Sequence, residues 1–256
     1  MFQLRDTQIK VFEQAALRNF ENEMVVHSKE FTPRLCEVLG DEQLRVALRQ
    51  AMNRAGTYGF TNRGSMRLFI EMMFLFGSDF HTDPQYPWAA KILQASDDQM
   101  ERAEQLCAQI LEYQAKVSGP EAANTRKALR KLLDLTQKPV TFSSNDFVAG
   151  MREEMTRIFP QKAAYIGEEG LTALIHEGSA EARKYHFPTV RGEVLVAALI
   201  FAFGHGCTDD PLYPWIARTL KDEKIIEPAA RAERLERKAV TWLEHVLAVP
   251  REGAPT

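Results

Sequence analysis

Phe74 to Leu93 reads FLFGSDFHTDPQYPWAAKIL, and 127 residues later Phe201 to Leu220 reads FAFGHGCTDDPLYPWIARTL. Ten of these twenty positions are identical without a gap, among them Gly77/Gly204, Asp83/Asp210, Pro84/Pro211, Tyr86/Tyr213, Pro87/Pro214 and Trp88/Trp215. Rare residues held in register at that density mark an internal duplication. Each part of the motif has a structural use. Gly77 and Gly204 permit the backbone that ends a helix. Proline pushes Asp83 and Asp210 into an extended conformation, from which a carboxylate accepts from free N–H groups at the head of the next helix. Tyr-Pro sets the direction of that helix, and Trp88 or Trp215 adds a large apolar plate for packing. The motif reads as a conformational corner, with a binding surface as the alternative.

Working outward, apolar residues recur at helical spacing on both sides of each motif. Asp6 can cap a helix with Ile9, Phe12, Ala16, Phe20 and Met24 as one apolar stripe. Pro33 opens a short helix to Leu39, and Gly40 stops it. Asp41 caps the next helix, which runs through Leu44, Leu48 and Ala55 to Tyr58-Gly59. Met66 to Phe76 is almost wholly apolar, which predicts a helix buried on most of its circumference. Asp97 caps a longer helix through Met100, Leu106, Ile110 and Tyr113, ended by Gly119-Pro120.

The same offset of 127 pairs Phe20 with Phe147, Gly40 with Gly167, Leu44 with Leu171 and Tyr58 with Tyr185. Beyond the motif the register slips by two, so that Leu106 meets Leu235 and Tyr113 meets Trp242. No stretch of strict alternation is long enough for a sheet. The expected fold is therefore all-α: two tandem copies of a roughly five-helix module, at 1–119 and 145–256, joined by 120–144. In that linker Glu121 to Leu135 reads as a helix, and Gln137 to Ser144 reads as a hinge.

Composition narrows the function classes. A formal charge of −3 gives no electrostatic reason for nucleic acid or an anionic membrane as partner. Three scattered cysteines, Cys36, Cys107 and Cys207, do not form a disulfide framework, which suits a reducing compartment. The longest apolar run, Val194 to Phe203, is too short to cross a bilayer. These features predict a cytoplasmic protein.

Chemistry-bearing patterns are sparse. His205, Cys207, Asp209 and Asp210 suggest a metal site, but their counterparts are Ser78, Phe80, Thr82 and Asp83, and alternating ligands on a short loop point to different sides. No metal site and no cofactor is expected. Nucleophile-elbow, P-loop and dinucleotide signatures do not occur, so no catalytic residue is assigned. His176-Glu177 and Glu168-Glu169 read as helix-surface charge, with acid–base work as the alternative. Arg126, Lys127, Arg130 and Lys131 form a basic stripe on the linker helix, a solvated face or a docking strip for an acidic partner.

Arg5, Gln8, Phe12, Phe20, Met24, His27, Leu39-Gly40 and Leu44-Arg45, with Tyr58-Gly59, Phe76-Gly77, Asp83-Pro84 and Pro87-Trp88, resemble a helical module of bacterial proteins encoded beside type VI secretion effectors and their spike-tip proteins. The resemblance covers nearly all of the first copy; the second lacks counterparts of Arg5, Gln8 and His27. It implies a non-enzymatic accessory, a chaperone or loading adaptor whose partner is a secreted effector toxin or a spike-tip component. An immunity protein that neutralises a cognate toxin is the first alternative. An enzyme or small-molecule binder with a cleft between the modules is the second.

Overall fold

A computed structural model describes residues 6–137, 146–187 and 189–248. Its order is α1 (Asp6–Phe31), α2 (Pro33–Thr57), α3 (Arg63–Phe76), α4 (Pro87–Leu93), α5 (Gln99–Tyr113), α6 (Ala123–Gln137), α7 (Phe147–Ile158), α8 (Pro160–Lys184), α9 (Val190–Phe203), α10 (Pro214–Leu220) and α11 (Pro228–Leu247). A π-helical turn (Gln114–Ser118) and a 3-10 turn (Pro120–Ala122) lie between α5 and α6. The described residues are all helix and loop, without a strand. None of the described helices is long and apolar enough to cross a membrane.

The spans of α2, α3 and α4 coincide with those of α8, α9 and α10 at the offset of 127. Local chemistry explains the agreement. Pro33 and Pro160 sit at the first helical positions. Gly40 (φ 72°, ψ 162°) and Gly167 (φ 78°, ψ 170°) break α2 and α8 in the same way, in a conformation open to glycine and costly for other residues. Asn62 accepts from the Ser65 N–H at the head of α3, and Thr189 accepts from the Gly192 N–H at the head of α9. Asp98, one residue beyond the expected Asp97, caps α5 by accepting from the Met100 N–H. His186 (φ 57°) stands where the first half has Gly59 (φ 73°), so this turn is kept even without glycine.

The halves differ where a neighbour is present on one side only. α6 packs on α11, and its Leu129 and Leu132 line a small cavity together with Ala198 and Ala202 of α9. Covered on that side too, α9 is apolar almost all round. On α3 the matching face is open to solvent, and the counterparts of Val194 and Ala198 are Arg67 and Glu71. Glu71 accepts from Arg67 at 2.8 Å and pairs with His27 at 2.7 Å. The burial expected on most of the circumference of α3 is found, with Leu68, Phe69, Ile70, Met72, Met73, Phe74 and Phe76 buried, and α9 shows it too. α1 departs from expectation. Phe20 and Met24 are buried, but Phe12 is 62% exposed and Ala16 lies in solvent, because no described element packs on the first turns. The sequence-predicted hinge lies, apart from Gln137, outside the described residues.

One apolar core runs through both halves. The π-helical turn after α5 packs on α8, and α11 packs on α2, so each half reaches across to the other. Tyr113 meets Tyr165 edge-on at 5.2 Å in this crossing.

Candidate functional site

The loops after α3 and α9 meet back to back. A Cβ added to Gly77 would stand 2.5 Å from the Phe203 carbonyl oxygen, and one added to Gly204 would stand 2.7 Å from the Phe76 carbonyl oxygen. The contact thus requires a bare backbone from each loop. Gly77 (φ 95°, ψ 157°) and Gly204 (φ 99°, ψ 159°) share a conformation that is almost restricted to glycine.

The two aspartates then cross the seam. Asp83 Oδ2 accepts from the His205 N–H at 2.8 Å, and Asp210 Oδ2 accepts from the Ser78 N–H at 2.8 Å. Each carboxylate also closes its own turn: Asp83 Oδ1 takes the Gln85 N–H and Asp210 Oδ1 takes the Leu212 N–H, both at 2.8 Å. The Ser78 hydroxyl adds a bond to Asp210 at 2.6 Å, and Gln85 Nε2 adds one to Asp83 at 3.1 Å. This corrects the sequence reading of the corner. The acceptors hold the opposite loop and their own turn, and they do not cap α4 or α10, because Tyr86 and Tyr213 occupy those caps without a side-chain bond. The tyrosines adopt matching conformations, φ −131°, ψ 60° and φ −125°, ψ 54°.

Burial dominates the electrostatics here. It pushes Asp210 up to about 6 against the bonds from Ser78 and Leu212, which favour the ionised form. It also raises Asp83, opposed by the His205 and Gln85 N–H groups and by the charge of Lys162. Lys162 is itself fully enclosed. Its Nζ donates to the Phe201 carbonyl at 2.5 Å and lies over the rings of Phe201 and Tyr86 at 5.2 and 5.7 Å. Burial brings Lys162 down to about 8, with Asp83 acting in the other direction. The counterpart of Lys162 is Leu35, and a cation at an apolar stripe position was the sequence signal for it.

At the solvent edge of the seam, His205 Nδ1 lies 2.9 Å from Glu177 and Nε2 lies 3.1 Å from the Thr82 hydroxyl. A hydroxyl, an imidazole and a carboxylate in a row resemble a proton relay. The Thr82 hydroxyl, however, donates to the Asp79 carbonyl at 3.1 Å. Both ring nitrogens of His205 are thus placed to donate, which is the bonding of an imidazolium. The Glu177 hydrogen bond raises the His205 pKa accordingly, against burial. His205 braces the seam through both ring nitrogens, and Glu177 is its anchor, a role that adjacency to His176 did not reveal. Beside it Arg54 binds Asp79 at 2.6 Å, and Gly206 packs on the Asp79 carboxylate. His81, enclosed by Tyr58, Phe69 and Phe80, is brought down to about 4 by burial and by the nearby Arg54 charge.

The other sequence-selected residues fall as follows. Asp83, Tyr86, Asp210 and Tyr213 are buried; Trp88, Pro211 and Trp215 are half-buried; Pro84 is exposed. Trp88 meets Phe76 edge-on at 5.7 Å, and Trp215 meets Phe203 at 6.4 Å. The motif is therefore mostly interior. His205, Cys207, Asp209 and Asp210 diverge: Cys207 is buried, Asp209 pairs with Lys221, and Asp210 holds Ser78. Among the described residues no group of three or more metal-ligand side chains comes together. On α6, Arg126, Lys127 and Arg130 are exposed, while Lys131 donates to the Arg157 carbonyl. A groove of 760 Å3 lies away from the seam, where α9 stands off α11 between Arg191, Leu195, Glu233, Glu236 and Val240.

No protein-family model, no curated protein and no solved structure matches this chain.

Proposed function

We propose that this chain is a cytoplasmic, non-enzymatic protein-binding accessory of a type VI secretion effector, a chaperone or loading adaptor built from two copies of one helical module. One observation carries the protein-binding part. Of the eleven large apolar side chains exposed among the described residues, ten lie between Val11 and Leu111 and a single one, Ile226, lies in the second half. A bias of exposed apolar side chains toward one half supports reading that half as the side kept for another protein. The exposed positions are also ones at which the repeat diverges: Val26 corresponds to Glu153, Val46 to Ala173 and Leu75 to Ala202. The shared glycines and aspartates anchor the seam, whereas Val26, Val46 and Leu75 are unshared and exposed. The effector context rests on the resemblance of the first copy.

Affinity capture from the native host tests the reading. The wild-type chain should retain a secreted effector or spike-tip component, and Val26→Glu with Leu75→Glu should lose it at unchanged thermal stability. Recovery of neither component by the wild-type chain would remove the proposal. Deleting the gene separates the roles: a strain lacking an adaptor stops delivering toxin, whereas a strain lacking an immunity protein is killed by its kin.

A further inference from the structure

The second half holds a space that the first half closes. α3 packs directly on α5, whereas at the matching place α9 stands off α11. Side chains bordering the gap are trimmed relative to the first half: Ala229 stands for Met100, Ala239 for Ile110 and Val240 for Leu111. Two adjoining spaces result. One is the groove of 760 Å3, with Leu195, Ala229, Ala232 and Val240 among its walls. The other is a slot of 80 Å3 between α6, α9 and α11, walled by Leu132, Val194, Ala198, Leu199, Ala239 and Leu243. Arg191, Leu195 and Glu236 border both spaces, so the slot opens onto the groove.

We propose that groove and slot together bind a small amphiphile, an unbranched alkyl chain with an uncharged, hydrogen-bonding head. The slot selects the chain. Its walls are mostly apolar, and its charged edge residues are already engaged, Glu154 with Arg157 at 2.9 Å and Arg191 with Glu236 at 2.6 Å. An apolar void of this kind stays dry and accepts apolar guests. The trimming gives up packing energy, which such a guest restores. The groove selects the head. Its volume falls within the roughly 300–1,000 Å3 of small-molecule sites, whose walls are mainly apolar with a few polar groups. Arg191 pairs with Glu236 and Arg237 with Glu233, so the four charges on the groove cancel. A net charge on the ligand gains nothing there, while the free edges of the carboxylates and guanidiniums can bond a hydroxyl. This site is independent of the effector reading, which concerns exposed residues such as Val26 and Leu75.

Isothermal titration calorimetry of the full chain with n-hexanol, n-octanol, octanoate and octylammonium tests the site. Octanol should bind about fifteenfold more tightly than hexanol, at about fourfold for each of two further buried methylenes. It should also bind more tightly than octanoate or octylammonium. Ala239→Ile restores the residue of the first half and fills the slot, so octanol affinity should fall by roughly tenfold or more, the loss of about two buried methylenes. Should that isoleucine prevent folding, Val240→Leu, half-buried in the groove wall, decides instead: octanol should bind several-fold more weakly at an unchanged melting temperature. No binding of octanol, equal affinity for the two alcohols, tighter binding of either charged amphiphile, or an octanol affinity indifferent to these substitutions would each overturn the proposal.

Discussion

Replacing Gly77 by alanine attacks the contact on which the two halves close. Alanine at φ 95°, ψ 157° is strained by about 1–3 kcal/mol wherever it occurs. At Gly77 its Cβ would also lie 2.5 Å from the Phe203 carbonyl oxygen, which is backbone and cannot swing aside. Relief requires the loops to part by most of an ångström. That lengthens the bonds from Ser78 to Asp210 and from His205 to Asp83, each worth about 1.5–3 kcal/mol as a bond to a charged group. The total loss should be about 4–6 kcal/mol, most of the stability of an ordinary domain. Gly40→Ala is the control: φ is 72°, and a Cβ there meets nothing within 4 Å. It should cost the strain alone. The gap of about 3 kcal/mol corresponds to about 1–1.5 M in the urea midpoint at m values of 2–3 kcal/mol/M. Equal midpoints for the two variants would refute the reasoning, because the close approach would then carry no energy.

Four further outcomes follow from the seam. The folded pKa of Asp210 lies near 6, above its ordinary 3.8, so the folded state holds this proton more tightly and its stability contribution falls as pH rises through that window. Asp210→Asn should flatten that part of the stability curve by up to about 3 kcal/mol in urea titrations at pH 4 to 6, and an unchanged slope would contradict the assignment. Lys162 has the opposite sign. Its folded pKa near 8 lies below the ordinary 10.5, so the unfolded chain binds more protons and stability rises with pH across that interval. Lys162→Met should remove that rise, and a curve parallel to the wild type would show that Lys162 does not titrate there. Glu177→Gln should lower the His205 pKa, read by NMR titration of the imidazole, because the carboxylate that holds the proton is gone. Trp88→Ala should cost about 3 kcal/mol on thermal unfolding through lost packing on Phe76, and a variant as stable as the wild type would show that this packing carries no energy.

Much of the helical layout was legible because it is local. Proline at the first turn placed the start of α2, glycine placed the end of α3 and the break at Gly40, and apolar spacing placed the body of α3, though its start lay three residues earlier than Met66. The motif could be read as a corner for the same reason. What it holds could not be read. The donors to Asp83 and Asp210 include N–H groups 122 and 132 residues away, and a backbone N–H leaves no trace in the residue code. Glu177 looked like surface charge because only the folded chain sets it beside His205. The exposed stripe on α1 was equally hidden. Periodicity shows that a helix has an apolar face, and only the fold shows whether that face has company.

The exchanged aspartates have a consequence for how the molecule comes apart. Neither loop contains all the acceptors its own backbone requires, so a half on its own would leave a turn unfinished and a carboxylate facing water. The halves should therefore melt as one body, and two separately produced halves should recover structure only on mixing. A protein of this kind has made loyalty between its parts a condition of being folded at all.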